Sequence, residues 1–157
     1  MQCRNWNLDN DYPYLVKWWK QHEFGQVPKE CLPPDGIIIE NNGIPICAGG
    51  LYCCTGTQFG FMEWIVIDKT INFKLAHTSL NLCIKNIIKL AEKNNIKLLY
   101  TVTGESALQK RYIKYHNMKL TENNVKTFVK DLTENNYKNL DWISDDMQIK
   151  KQKEENN

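Results

Sequence analysis

Residues 59–90, FGFMEWIVIDKTINFKLAHTSLNLCIKNIIKL, decide how the chain folds. Their beginning is rich in β-branched and aromatic residues, which predicts a strand over 58–67. After a polar break at Asp68, Lys69 and Thr70, apolar residues recur with helical spacing, which predicts a helix over 72–94. This order places a helix N-terminus beside the carboxyl end of a strand, where α/β proteins often bind anionic cofactors.

The remaining elements surround this strand and helix. In chain order the pattern predicts a helix, a loop, a hairpin and, after the central helix, a strand, a short helix and a last pair of strands. Their predicted ranges are 9–24, 25–36, 36–52 with a turn at 41–43, 96–103, 104–116 and 118–132. A helix between two strands of one sheet makes strands 58–67 and 96–103 parallel. The predicted fold class is therefore α/β (α+β), a mixed, mostly antiparallel sheet with one parallel junction, flanked by helices.

The first predicted helix begins in a polar run. Asp9, Asn10 or Asp11 is available as its N-cap, and a proline at position 13 suits a first turn. Two adjacent tryptophans, Trp18 and Trp19, point in different directions on such a helix. Two interpretations remain open: the tryptophans provide core packing and an amphipathic rim, or one of them lines a substrate groove or a partner contact.

Composition predicts one globular domain. The chain has 157 residues, of which 42% are hydrophobic, enough for a single core. We expect a domain over 1–132 and a polar extension over 133–157, partly docked on its own domain or a protein partner and partly disordered. A net charge of +2 argues against nucleic acid as a partner. No apolar run suits a membrane span or a signal peptide, so a cytoplasmic location is expected.

Six cysteines and three histidines show no metal-ligand spacing, so no metal site is predicted. Cys47 falls in a predicted strand and Cys83 on the apolar side of the central helix. Both are expected to pack as small hydrophobic side chains, since free thiols behave in that way when buried.

Four segments, in this order, resemble the GNAT family of N-acetyltransferases, and especially small GNAT-like proteins encoded by bacteriophages. They are DYPYLVKWWKQHEF, LPPDGIIIENNGIPICAGGLY, MEWIVID and QKRYIKYHNMKL. The resemblance covers roughly residues 8–132 and implies transfer of an acetyl group from acetyl-CoA to the amine of a small molecule or a protein. If the chain is phage-encoded, the location it implies is the host cytoplasm or a virion.

The resemblance also implies roles for individual residues. Glu63 takes the place of the carboxylate that deprotonates the amine, unless it points to the open face of a half-buried strand. The phenol that protonates the leaving thiolate would be Tyr112 or Tyr115; the position four before Asn117, where the family's tyrosine stands, holds Ile113. The implied cofactor-binding residues are Trp64, Ile65, Val66, Ile67, Lys69, Lys74, Ala76, His77, Thr103 and Ser106.

The turn that would take the cofactor's pyrophosphate departs from the family. The family's signature there is Gln or Arg, two residues, Gly, one residue, then Gly or Ala, whereas residues 68–76 contain no glycine. Two functional interpretations follow. The chain is an acetyl-CoA-dependent N-acetyltransferase, or it is a non-catalytic structural or interaction component with the same fold, such as part of a phage virion.

Overall fold

The computed structural model describes residues 1–122. Within that range the chain forms five strands and three α-helices. They are β1 (Gln2–Asn5), α1 (Leu8–Gln21), β2 (Asp35–Asn41), β3 (Ile44–Cys53), β4 (Phe59–Ile67), α2 (Phe73–Lys93), β5 (Leu98–Tyr100) and α3 (Ser106–His116), with a 3-10 turn at Lys29–Cys31.

The strands form one sheet in the order β1-β2-β3-β4-β5. Every neighbouring pair is antiparallel except β4 and β5, which are parallel, so the predicted mixed sheet with a single parallel junction is confirmed. The hairpin between β2 and β3 turns at Asn42 and Gly43, whose φ angles of 53° and 78° are both left-handed. Asn-Gly is the residue pair that such a two-residue turn favours.

The start of α1 differs from the prediction. Its N-cap is Asn7, whose side chain accepts a hydrogen bond from the amide of Asp9, rather than one of the three residues at 9–11. Asp11 is instead buried and accepts two hydrogen bonds of 2.7 Å from the guanidinium of Arg4. Arg4 lies on β1, an edge strand that was not predicted from the sequence because it is only four residues long and mostly polar. The contact to Asp11 therefore joins an unpredicted strand to α1.

The last predicted strands also differ. β5 covers only 98–100 instead of 96–103, because the chain parts from β4 after Tyr100. Residues 118–122 carry no strand. The rest of the predicted pair at 118–132, and the extension at 133–157, lie outside the described residues.

Apolar side chains pack on both faces of the sheet. On one face α1 covers the sheet with Leu15, Trp18 and Trp19, which meet Ile38 and Val66. On the other face α2 contributes a stripe of fully buried residues that packs against β2, β3 and β4. That stripe consists of Cys83, Ile84 and Ile87. Alternate residues of the strands therefore supply two separate cores, as the period of a strand requires.

Within residues 1–122, no helix combines the length and the apolar character needed to cross a membrane.

Replacing Ile84 by alanine should destabilise the domain, because the side chain is fully buried and its loss leaves a cavity beneath the sheet. We expect the free energy of unfolding to fall by about 2–5 kcal/mol in urea titrations. The matched control is Lys85→Ala on the exposed face of the same helix turn, which should change it by less than about 0.5 kcal/mol. Equal losses in the two variants would contradict the assignment of this helix face to the core.

Candidate active site

A β-bulge interrupts β4. Gly50 of β3 pairs with Glu63 and Ala48 pairs with Val66, so two residues of β4 lie opposite Gly49 alone. Trp64, the first of the two, has a left-handed φ of 59°, which is uncommon for a residue with a side chain. Bulges bend the strand that carries the extra residue. The bulge lies beyond Phe61, the last residue of β4 that pairs with its parallel neighbour.

β4 and β5 part after a short stretch of pairing. The two strands pair only from Phe59 to Phe61 on one side and from Leu98 to Tyr100 on the other. Beyond these pairs lies a cleft of about 460 Å³. Its lining residues come from α1 and the loop after it, from β4, from the segment after β5 and from α3. They are Trp19, Glu23, Phe24, Gly25, Val27, Met62, Glu63, Trp64, Ile65, Thr101, Val102, Thr103, Gly104, Glu105, Leu108 and Tyr112.

Aromatic contacts hold the bulge in place. The indole of Trp64 donates a 2.9 Å hydrogen bond to the hydroxyl of Tyr52, which in turn donates to the carbonyl of Cys31. The ring of Trp19 meets the ring of Trp64 edge to face, with centroids 6.4 Å apart. Trp18 lies wholly in the core, whereas Trp19 is buried and also lines the cleft. The two adjacent tryptophans thus divide the two roles that the sequence left open.

Glu63 reaches across the cleft from β4. Its carboxylate accepts a 3.2 Å hydrogen bond from the amide of Val102, in the segment that follows β5. Burial raises the pKa of Glu63 from 4.5 to about 7, and the bond from Val102 opposes this only in part. Both protonation states are therefore populated near neutral pH, which suits a general base.

Tyr112 lies at the same cleft, on α3. Only 6% of the residue is exposed, and burial, reinforced by the nearby Glu63 carboxyl, raises the pKa of its phenol to about 12. The phenol is therefore protonated at neutral pH and available as an acid. Tyr115 is 48% exposed and packs edge-on against His77, with ring centroids 5.4 Å apart, away from the cleft. Of the two candidate phenols, the structure brings Tyr112 and not Tyr115 close to Glu63.

The end of α3 explains which tyrosine faces inward. Asn117 closes the helix in the left-handed conformation, with φ of 52°, and the amide of Met118 bonds back to the carbonyl of Tyr112. Ile113, four residues before Asn117, is 53% exposed. Tyr112 is therefore the buried side chain, although it stands five residues before Asn117 and not four.

The predicted cofactor-binding residues separate into two groups. Trp64, Ile65 and Thr103 line the cleft. The others lie elsewhere: two continue β4 beyond the bulge, one starts α3, and four are on the turn after β4 or on α2. These are Val66, Ile67, Ser106, Lys69, Lys74, Ala76 and His77. Sequence reasoning missed Glu23, Phe24 and Glu105 in the lining. The first two fell in the helix predicted over 9–24, which ends at Gln21, and Glu105 is the N-cap of α3.

The turn after β4 is closed by its own hydrogen bonds. The carboxylate of Asp68 accepts hydrogen bonds from the amide and hydroxyl of Thr70, from the side chain of Gln21 at 3.1 Å and from the ammonium of Lys17 at 3.3 Å. Burial acts to raise the pKa of Asp68, but these bonds outweigh it and hold the pKa well below its usual range. A carboxylate that stays charged at neutral pH therefore occupies the turn.

Most backbone amides of this turn already have acceptors. The amide of Lys69 donates to the side-chain oxygen of Gln21, and that of Ile71 donates to the carbonyl of Asp68. The amides of Leu75 and Ala76, in the first turn of α2, both donate to Asn72. A pyrophosphate needs such amides free and little negative charge beside them. The amides of residues 68–71, 75 and 76 are thus engaged within the fold, and the Asp68 carboxylate lies beside them, which makes the turn a poor match for a pyrophosphate.

Comparison with known proteins finds similar folds but no similar sequences. No protein-family model matches the chain, and no curated protein matches its sequence. Among solved structures, a putative acetyltransferase from Agrobacterium tumefaciens is 13% identical, with a TM-score of 0.60 over 83% of this chain and 100% of that chain. Glucosamine-6-phosphate N-acetyltransferase from Arabidopsis thaliana is 11% identical, with a TM-score of 0.59 over 82% of this chain and 98% of that chain.

A third structure, of Rv2747 from Mycobacterium tuberculosis, was solved in complex with CoA and NLQ. It is 12% identical, with a TM-score of 0.60 over 80% of this chain and 76% of that chain. At these identities the likeness shows the fold alone. The chain has the GNAT fold of the acetyltransferases.

The raised pKa of Glu63 predicts a dependence of stability on pH. Because the folded chain holds this proton more tightly than the unfolded chain, stability from Glu63 is full below pH 4.5 and is lost as the pH rises through about 7. The unfolding free energy of the wild type should therefore fall relative to that of Glu63→Gln between pH 5 and pH 8, in urea titrations at each pH. The exposed Glu30→Gln serves as control, and parallel curves for wild type and Glu63→Gln would contradict the assignment.

Proposed function

We propose that the chain is an N-acetyltransferase that moves an acyl group from a thioester to an amine in the cleft between β4 and β5. One observation carries the proposal. A carboxyl with a pKa of about 7, Glu63, and a phenol with a pKa of about 12, Tyr112, line the same cleft. Pairs of groups whose pKa values are pushed apart by their surroundings are typical of acid–base sites.

In this mechanism Glu63 accepts a proton from the bound ammonium group, which leaves a neutral amine. The amine nitrogen attacks the thioester carbonyl, so a C–N bond forms and the C–S bond breaks. Tyr112 donates its proton to the departing thiolate and is reprotonated by the second proton that the attacking nitrogen loses as the amide forms. Glu63 then releases its proton to solvent. The amide of Val102 orients Glu63 by hydrogen bonding to its carboxylate. No step needs a group other than the two substrates and these side chains.

The lining of the cleft supports a cationic acceptor. It contains three carboxylates, Glu23, Glu63 and Glu105, while no Lys, Arg or His is found among its described residues. Trp19 and Phe24 contribute aromatic rings to the lining. Such rings attract ammonium groups and also pack against the apolar parts of a substrate. The Arabidopsis neighbour is named for a phosphorylated amine, glucosamine-6-phosphate, and this lining offers no cation for such a phosphate. We propose an unphosphorylated amine, of a small molecule or of a protein.

A second candidate is a non-catalytic interaction component with the GNAT fold, such as part of a phage virion. The closed turn at Asp68 favours it, because the turn is a poor match for the pyrophosphate of the fold's usual donor. This candidate predicts that neither Glu63 nor Tyr112 affects any transfer reaction.

Three variants test the proposal. With an acyl thioester and a panel of amines, Glu63→Gln should lower kcat/KM by about 10²–10⁴ and Tyr112→Phe should lower it by at least about tenfold, as losses of a general base and acid do. Tyr115→Phe is the matched control and should retain wild-type activity, since its phenol packs against His77 outside the cleft. Release of free thiol gives the rate.

The pH profile provides an independent readout. In the wild type kcat/KM should rise with pH and level off above about 7, as Glu63 loses its proton, and Glu63→Gln should lose this step. Equal rates in wild type and Glu63→Gln would refute the catalytic proposal and leave the interaction component. A loss in Tyr115→Phe as large as that in Tyr112→Phe would refute the choice of acid.

A further inference from the structure

We propose that the chain takes its acyl group from a pantetheine-type thioester that it recognises by the acyl and thioester arm alone, with the pyrophosphate and nucleotide of CoA unbound. This inference rests on the proposed function and names its donor class. It follows from three features of the structure: the anchored turn after β4, the contact between α2 and α3, and the charge of the cleft.

The turn at Asp68 cannot open by a side-chain rotation alone. Its carboxylate is held by Thr70 and by two residues of α1, Lys17 and Gln21. The backbone beside it is anchored as well, since the amide of Asp68 donates to the carbonyl of Ile46 at 2.9 Å. The ring of His22, just past the end of α1, bonds to the carbonyl of Ile67 at 2.9 Å. Freeing the amide of Lys69, which donates to Gln21, would therefore require separating the end of α1 from β4.

The helices flanking the parallel junction are joined directly. The guanidinium of Arg111 on α3 donates to the carbonyl of His77 at 3.2 Å and to the side chain of Asn81 at 2.8 Å, both on α2. His116 contacts the same Asn81 oxygen at 3.4 Å. These bonds hold α3 against the first part of α2, and no residue of α2 lines the cleft. The cleft is thus a site for the arm of a donor and does not extend to the N-terminus of α2.

The charges of the described residues agree with this assignment. The cleft carries three glutamates and, in the part of the chain that the structure describes, no cationic lining residue. Two cations beside the turn are engaged: Lys17 pairs with Asp68, and the ammonium of Lys69 donates to the carbonyl of Gln21 at 3.2 Å. A third, Lys74 in the first turn of α2, is exposed. A pyrophosphate would meet carboxylates in the cleft and the Asp68 anion at the turn, and like charges repel.

The test compares three donors with one amine acceptor: acetyl-CoA, acetyl-pantetheine, which lacks the phosphates and the nucleotide, and S-acetyl-N-acetylcysteamine, which keeps only the thioester end of the arm. Since remote groups that do not bind cannot lower the barrier, kcat/KM for the first two should agree within about threefold. Adenosine 3′,5′-diphosphate, which carries the nucleotide without the arm, should not inhibit at millimolar concentration. A preference for acetyl-CoA of about 10²-fold or more, with inhibition by the nucleotide, would overturn the inference and leave the proposed function intact.

Transfer from none of the three donors would overturn the proposed function and this inference with it. A surface variant tests one remaining possibility, that the first turn of α2 attracts the phosphates of the nucleotide weakly. Lys74→Gln removes the exposed ammonium of that turn. It should change the ratio of kcat/KM for acetyl-CoA to that for acetyl-pantetheine by less than about twofold, whereas a fall of tenfold would show that the pyrophosphate is bound there.

Discussion

The left-handed backbone of Trp64 is the constraint on which the candidate site depends. A side chain at such a φ costs of order 1–3 kcal/mol and persists only where the surroundings fix it. Here the hydroxyl of Tyr52 and the ring of Trp19 hold the indole from β3 and from α1. The bulge lies just beyond the last pair of β4 with β5, Phe61 with Tyr100, and directly follows Glu63, whose carboxylate lies across the cleft from Val102. The strained Trp64 thus adjoins both the cleft and the Glu63 carboxylate that lies in it.

The elements that the sequence predicted correctly are those specified by local periodicity and turn chemistry. The strand and helix of residues 59–90 and the Asn-Gly hairpin belong to this class. The differences come from distant contacts. β1 carries Arg4, which binds Asp11 of α1 and also Glu40, 36 residues away. β5 ends early because its pairing with β4 stops at Phe61, which no pattern in residues 96–103 reveals.

The candidate site was predictable only in part, for the same reason. The resemblance pointed to Glu63 and to two tyrosines, and the structure places one of these, Tyr112, beside Glu63. The resemblance could not show that the turn at Asp68 is closed, because two of the residues that close it belong to α1. Lys17 and Gln21 are 51 and 47 residues from Asp68 in the chain. The missing glycines in residues 68–76 are a local sign of this change, whereas its cause is a tertiary contact.

The parallel junction itself is very short, and this has a mechanical consequence. Three register pairs join β4 to β5, and the middle one uses Gly60, where a Cβ would lie 2.9 Å from the carbonyl of Tyr52. Beyond Tyr100, the segment up to the end of α3 is held by side chains: the amide of Val102 bonds to Glu63 of β4, and Arg111 bonds to two residues of α2. Strands β1 to β4, in contrast, are joined by continuous antiparallel pairing. The outer wall of the cleft therefore keeps its place through a few side-chain contacts, whereas its inner wall belongs to the backbone ladder of the sheet.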